Sequence, residues 1–273
     1  MIMSDLFNLY ERECLPELTL RVQRDYRHML RHLDDVFGYL EPQQVKPRHV
    51  VDFLNVKTGK VHRNRMVMVL SSIFKRAMGS WCIELDLVNP CVVARRHPTK
   101  PRTRYVTDEE FQGFRATAPA SVQIAMDLAL LTGQRQGDIL ALRWDQIHDG
   151  EIWIDQGKSG GERKLAIVIS PALEAVLTRA RALEPQLPRE YVVHTMFGRR
   201  YTGDGFRALW QVYMCAWRKA HPNDSRWVFH DIRAKCVSDT TSLQDASLRA
   251  GHADPRITSR VYDRNRRRVE ALR

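Results

Sequence analysis

Apolar side chains recur along this chain at two periods, three to four positions in some stretches and two in others. In "LRVQRDYRHMLRHLDDVFGYL" (20–40) Tyr26, Met29, Leu30, Leu33 and Phe37 recur at helical spacing, and Arg21, Arg24, Arg27, His28 and Arg31 are interleaved among them. "VHRNRMVMVLSSIFKRAM" (61–78) repeats the pattern with Met66, Leu70, Ile73, Phe74 and Ala77 on one face and His62, Arg63, Arg65, Lys75 and Arg76 elsewhere. Between them, "KPRHVVDFLN" predicts a short helix with Pro47 near its start. Together these segments predict a small basic helical bundle.

The period breaks at "NPCVVARRHPTKPRTRYV" (89–106), which is rich in Pro, Lys and Arg. The expectation is a helical domain over 1–94, a basic linker over 95–106 and a second domain over 107–273. The second domain opens on "TDEE", where Thr107 and Glu110 have capping-box spacing. A helix through "SVQIAMDLALLTG" follows. The period then changes to two: Ile152 and Ile154 alternate on one strand, Leu165, Ile167 and Ile169 on the next, and the Gly-rich turn between them predicts a hairpin. Pro171 starts another helix. "GFRALWQVYMCAWRKA" predicts an amphipathic helix that buries Phe206, Leu209, Trp210, Tyr213, Met214 and Trp217. The fold class is mostly α with one small antiparallel β-sheet, in two domains.

Composition narrows the partners. At 273 residues the chain has room for two ordinary domains, and Lys plus Arg exceed Asp plus Glu by 43 to 32, a net charge of +11. A balance this basic favours a polyanion, although solvated basic faces are also common on proteins that bind none. The five cysteines have no C-x-x-C spacing and are read as reduced thiols. No apolar run approaches a membrane span, and the first residues reach Asp5 and Glu11 too early for a secretory signal. The expectation is a cytoplasmic, nucleoid-associated protein of a bacterial or phage-infected cell, without membrane contact.

Two motif matches fail on context. "GKSGG" (157–161) fits a nucleophile-elbow pattern, but that motif needs a helix after the turn and here a strand follows. Its "GKS" fits the end of a phosphate-binding loop, but the required earlier glycine would be residue 152, which is Ile. No His/Cys or carboxylate cluster has metal-ligand spacing.

Four stretches remain. "TGQRQGDIL" places Arg135 at a glycine-flanked helix junction, and "QGKSGG" lifts Lys158 onto the hairpin tip. "HDIR" sets His230 and Arg233 three apart on one helix face, and "GH" followed by "TSRVY" supplies His252 and Tyr262. Taken singly, each has an ordinary structural explanation: a surface arginine, a turn lysine, a core histidine, a packing tyrosine. As an ordered set they resemble the tyrosine recombinase (phage integrase) family, whose signature runs Arg, a hairpin Lys, His-x-x-Arg, Gly-His and Tyr. "LLTGQRQGDILALRW", "HDIR" and "GHADPRITSRVY" carry that resemblance, and the helical bundle is similar to the family's core-binding (SAM-like) domain.

The resemblance implies an enzyme, a DNA strand-transferase that acts as a site-specific recombinase or integrase of phage or mobile-element type. Its catalytic residues would be Arg135, Lys158, His230, Arg233, His252 and Tyr262. Two guanidiniums would clamp the scissile phosphate, since each is permanently charged and forks onto two oxygens. His252 would add a hydrogen bond, His230 would help deprotonate the tyrosine and Lys158 would protonate the leaving 5′-oxygen. The scheme needs no metal or nucleotide cofactor. Its partners would be double-stranded DNA bearing a specific recombination site, three further copies of the chain in a tetramer on that DNA, and in some systems an accessory DNA-bending or excision factor. Arg63, Arg65, Arg95, Arg96, Lys100, Arg102 and Arg104 are the candidate DNA-backbone contacts.

The chain departs from the family pattern in three ways. Asp138 stands where members often have Glu. The run between "HDIR" and "GH" is compressed into "TTSLQDASLRA". The 273 residues include no further DNA-binding module ahead of the bundle, which many phage integrases carry. Two other readings fit the same residues. A type IB topoisomerase would nick and reseal DNA without needing a site pair, and a catalytically silent DNA-binding regulator would never form a covalent adduct.

Overall fold

The computed structural model describes residues 1–56, 59–81, 83, 88–99, 101–156, 164–183, 189–222, 224–240, 242–251 and 264. By internal packing the chain divides into two units, Met1–Lys100 and Pro101–Arg273.

The first unit is helical: α1 (Met3–Cys14), α2 (Leu20–Phe37), α3 (Pro47–Asn55), α4 (Lys60–Met78) and the single turn α5 (Pro90–Val93). Its core joins Leu6 and Phe7 of α1, Leu33 and Phe37 of α2, Phe53 of α3 and Leu70, Ile73 and Phe74 of α4. The apolar positions picked out by helical spacing are thus the ones that pack, except that Tyr26 is only half-buried. On the outside of the same helices Arg24, Arg27, Arg31 and Arg65 remain exposed.

The proposed linker is less free than its composition suggests. Asn89 caps α5 and donates through Nδ2 to the Ser71 carbonyl at 3.0 Å. Asn64 exchanges two hydrogen bonds with the His97 backbone at 2.8 and 3.0 Å, and the His97 ring meets the Leu54 carbonyl at 2.7 Å. Residues 89–97 are therefore part of the first unit. Beyond them Val106 is fully buried in the core of the second unit. Buried backbone needs partners, and side chains of α4 and of the segment itself supply them.

The second unit runs α6 (Asp108–Thr117), α7 (Ala120–Thr132), α8 (Gln136–Ile139), β1 (Ile147–His148), β2 (Glu151–Asp155), β3 (Lys164–Val168), α9 (Pro171–Arg181), α10 (Gly203–Ala220), α11 (Phe229–Asp239) and α12 (Leu243–Ala250). Its sheet is antiparallel in the order β1-β2-β3, with Ile152 opposite Ile167 and Ile154 opposite Leu165. The two-residue β1 is too short to show a period, so the sequence pattern gave no sign of it. The capping box forms at α6: the Glu110 amide donates to Thr107 Oγ1 at 3.3 Å and the Thr107 amide to Glu110 Oε2 at 3.0 Å. On α10, Phe206, Trp210, Met214 and Trp217 are buried, whereas Leu209 and Tyr213 are half-exposed at the edge of the stripe. Trp210 packs with Phe114 and Trp227 at ring separations of 4.6 and 5.2 Å.

The helix α7 is apolar nearly all round and runs through the middle of this unit, packed against α9 and α11. A central helix whose neighbours are fixed gives a rigid frame to whatever its C-terminus carries. The chain leaves it at Gly133, in the left-handed conformation (φ 66°). Cys91 and Cys236 are buried thiols that burial pushes up to about 12 and about 11, which leaves them unreactive. Among the described residues no helix is long and apolar enough to cross a membrane.

Candidate active site

Three of the six candidate catalytic residues lie among the described residues: Arg135, His230 and Arg233. Lys158, His252 and Tyr262 fall outside them, as does Lys100 among the candidate DNA contacts.

Arg135 caps α8 two residues after the Gly133 turn, so the end of α7 sets its position. Its Nη1 donates to Gln156 Oε1 at 3.1 Å and lies 4.0 Å from Asp138 Oδ2. Gln156 immediately follows β2 and is fully buried. Its Nε2 donates to Gln134 Oε1 at 2.8 Å and toward the Ala250 carbonyl at 3.4 Å. Gln134, also buried, donates to the Thr132 and Arg249 carbonyls at 3.0 and 2.8 Å. Two buried amides thus tie together the end of α7, the end of β2 and the end of α12.

Arg233 reaches the same place from α11. It is 1% exposed, an extreme value for a guanidinium. Its Nη1 donates to the Gly133 carbonyl at 2.7 Å and its Nη2 to the Ala250 carbonyl at 2.6 Å. Both acceptors lie at helix C-termini, where carbonyls lack intrahelical partners and the helix dipole favours a cation. The Ala250 carbonyl therefore links Arg233 to Gln156, and through it to Arg135. The two arginines converge.

Gly251 makes this junction possible. It caps α12 in the left-handed conformation (φ 62°), and a Cβ built there would lie 2.4 Å from Gln156 Nε2. Only glycine takes that backbone without strain and leaves room for the amide.

His230 lies on the first turn of α11, three positions before Arg233. The residue keeps some contact with solvent, while the protein packed around it disfavours the imidazolium. That desolvation is the main reason its pKa is lowered from 6.5. The Arg233 charge adds to it, Asp231 opposes it, and Arg264 and Arg135 lower it further. His230 is thus neutral at neutral pH and lies in the field of both arginines.

Asp231, the next residue, is fully buried and closes the capping box of α11 by accepting from the Val228 amide at 2.9 Å. Arg102 forks onto it through Nε and Nη2 at 3.2 and 2.8 Å, and Arg264 donates to Oδ1 at 2.7 Å. Burial alone would raise this carboxyl, but the two guanidiniums and the amide outweigh it and hold the pKa below the usual carboxylate range.

The described candidate DNA contacts divide. Arg65, Arg95 and Arg96 are exposed on the first unit, the latter two lining a shallow cavity with Lys75, Ser71 and Ser72. Arg63 is half-buried, with Nη1 on the Phe53 carbonyl at 3.1 Å and its guanidinium 4.8 Å over the Phe53 ring. Arg102 is bound to Asp231, and Arg104 pairs with Glu110 and the Tyr105 carbonyl. The last two arginines are tied into their own unit, a role that local composition could not distinguish from an open contact.

Sequence reasoning missed Gln134, Gln156, Asp231 and Arg264. A signal existed for one of them: the alternation Ile152, Ile154 carries on to position 156, so Gln156 lies on the inward face of its strand.

The model of the phage integrase family matches residues 104–268. The integrase of Escherichia phage HK022 is 29% identical over 175 residues, 62% of this chain and 46% of that protein. The ICEBs1 integrase of Bacillus subtilis (strain 168) is 28% identical over 163 residues, 56% of this chain and 44% of that protein. This chain therefore spans less than half the length of either curated relative. Among solved structures, a lambda integrase dimer bound to a COC′ core site superposes with a TM-score of 0.84 at 19% identity, covering 100% of this chain and 99% of that one. The Tn1549 transposon integrase, in complex with circular intermediate DNA, gives 0.75 at 13% identity, covering 94% of each chain. The family model spans more than half of the sequence, and the chain belongs to the phage integrase family.

Proposed function

We propose that this chain is a site-specific DNA recombinase that cuts and rejoins DNA through a 3′-phosphotyrosyl intermediate. One observation carries the reading: Arg135 and Arg233, nearly a hundred positions apart in sequence, are joined through the Ala250 carbonyl and Gln156, and His230 is held neutral in the field of both.

The chemistry follows from those groups. The Tyr262 oxygen attacks the scissile phosphorus, a new P–O bond forms, and the bond to the 5′-oxygen breaks. Negative charge builds on the non-bridging oxygens, where the positive charges of Arg135 and Arg233 stabilise it. The phenolic proton passes to His230, and Lys158 supplies one to the departing 5′-oxygen. His252 adds a hydrogen bond to the same phosphate. The bond formed is a phosphodiester like the one broken, so a 5′-hydroxyl from another duplex reverses the step, and the scheme calls for no nucleotide or metal cofactor.

The substrate is double-stranded DNA bearing a recombination site. The exposed Arg65, Arg95 and Arg96, with Arg63 and Lys100, contact its backbone, while Arg102 and Arg104 set the start of the catalytic unit. The chain works as a tetramer on DNA, in the cytoplasm at the nucleoid, with an accessory bending or excision factor as an optional partner. A lambda integrase tetramer bound to a Holliday junction is among the structural neighbours and supports that assembly.

The test is a nicked suicide duplex carrying the candidate site. A protein–DNA band that resists denaturant is expected, and Tyr262→Phe should abolish it while leaving the mobility shift. A band that persists in Tyr262→Phe would mean a different nucleophile. Relaxation of supercoiled DNA that lacks any site pair would favour the topoisomerase reading, and binding with no adduct at all the silent regulator.

A further inference from the structure

Arg264 follows Tyr262 by two positions and is anchored at both its backbone and its side chain. Its amide donates to Ser238 Oγ, on the last turn of α11, at 2.8 Å. Its guanidinium donates to Asp231 Oδ1, on the first turn of α11, at 2.7 Å, and to the Arg104 carbonyl. The side chain is 5% exposed and Asp231 is fully buried. A buried carboxylate that has lost its water needs such partners, so the contact is directional and costly to break.

The helix that holds Arg264 is also the helix that carries His230 and Arg233. Asp231 lies directly between these two in sequence, and Arg102 grips its other oxygen. Two residues of chain span about 7 Å at most. A pin at position 264 therefore limits how far the nucleophile can stray from the groups that must act on it. Confinement of that kind raises the effective concentration of one reacting group at another.

We propose that Arg264 is a positioning residue which, through Asp231 and Ser238, fixes the chain beyond Tyr262 to α11 and so sets the register of the nucleophile. The inference rests on the recombinase reading above. It concerns the rate of strand cleavage, not DNA affinity, because Arg264 is buried inside the protein.

The experiment is single-turnover cleavage of the suicide duplex by the full chain over a range of protein concentrations. Arg264→Ala should lower the limiting cleavage rate by about 100-fold, the scale of loss from misplacing a reacting group by about an ångström. The concentration giving half-maximal cleavage should stay within about twofold, since binding free energy would be untouched. Arg264→Lys keeps the charge and the backbone anchor and should recover part of the rate. Arg102→Ala is the comparison: it strips the same carboxylate of its other guanidinium but keeps the bonds made by Arg264 itself, so its limiting rate should fall less than that of Arg264→Ala.

If Arg264→Ala cleaves at the wild-type rate, or if both alanine variants slow cleavage equally, Arg264 does not position the nucleophile. A rise in half-maximal concentration with an unchanged limiting rate overturns it as well. Should Arg264→Ala fail to fold, the Arg264→Lys rate decides, with no loss against wild type counting against the proposal. Absence of any adduct with the wild-type chain is a different failure. It removes the recombinase reading and this inference together.

Discussion

The two units use positive charge in opposite ways. The first unit keeps Arg65, Arg95 and Arg96 on its surface, where each guanidinium is hydrated and interchangeable with its neighbours. The second buries Arg233, Lys235 and Arg264, each fixed by named acceptors. Lys235 is 1% exposed and pairs with Asp108 and Asp239 at 2.7 and 2.9 Å; these partners outweigh its burial, and its pKa is raised. Exposed charge acts at a distance, summed over many groups and screened by salt. Buried charge acts at one point in one direction. A protein that must both find a polyanion and do chemistry on one of its phosphates needs both kinds.

The sharpest break in that comparison is Arg233→Lys. It preserves the charge but loses the planar fork that spans the Gly133 and Ala250 carbonyls. If direction matters more than charge, adduct formation should fall by about 100- to 1,000-fold, the range for removing one aligned donor from a transition state. The same Arg-to-Lys change at exposed Arg95 should leave the adduct rate unchanged. Quantifying the covalent band over time checks both.

Next in size is Gly251→Ala. The left-handed backbone costs an L-residue about 1–2 kcal/mol. The new methyl would also displace Gln156, which accepts from Arg135 and donates to Gln134. A loss of about 2–4 kcal/mol in urea unfolding is expected, counting the strain and the disrupted buried amide. Adding Gln156→Ala should relieve the steric part and leave the backbone part. A double variant no better than the sum of the singles would show that the two residues are not coupled.

Much of this arrangement was legible in the sequence, and what was not has a physical cause. Period and punctuation located α2, α3, α4, the α6 cap, the β2–β3 hairpin and α10, because apolar spacing and capping chemistry are local. Arg135, His230 and Arg233 were legible through their motif context. The glutamine pair and the Asp231 clamp were not. Each joins segments distant in sequence, Arg102 to Asp231 spanning 129 positions and Gln134 to Arg249 115. Nothing local distinguishes an arginine bound to a buried carboxylate from one open to a phosphate. That is why 95–106 read as one uniformly basic linker, although Arg95 and Arg96 are exposed and Arg102 and Arg104 are held.

The third prediction tests the surface kind of charge. Arg95→Ala and Arg96→Ala should each weaken DNA binding to about the same degree on every sequence. Each should reduce the slope of log affinity against log salt by about 1, the loss of one released counterion. At saturating DNA the cleavage rate should not move. A variant that changed the rate but not the salt slope would place its arginine with the buried class.

The smallest effect separates the units by pH. In the first unit the rings of His28 and His32 on α2 lie 4.7 Å apart, and His62 on α4 lies 5.9 and 6.3 Å from them. Burial lowers the His62 pKa from 6.5, and His28, His32, Arg65 and Arg63 all push the same way. Below pH 6.5 the unfolded chain takes up a proton at this position that the folded one resists, so stability falls as pH drops through the window beneath 6.5 and is flat above it. Protection factors in α2 and α4 of the full chain, which correct for the intrinsic slowing of amide exchange in acid, should therefore fall on acidification. His62→Gln should flatten the response. Equal acid sensitivity in that variant would trace the effect to other groups and leave the three-histidine cluster with no influence on the stability of the unit.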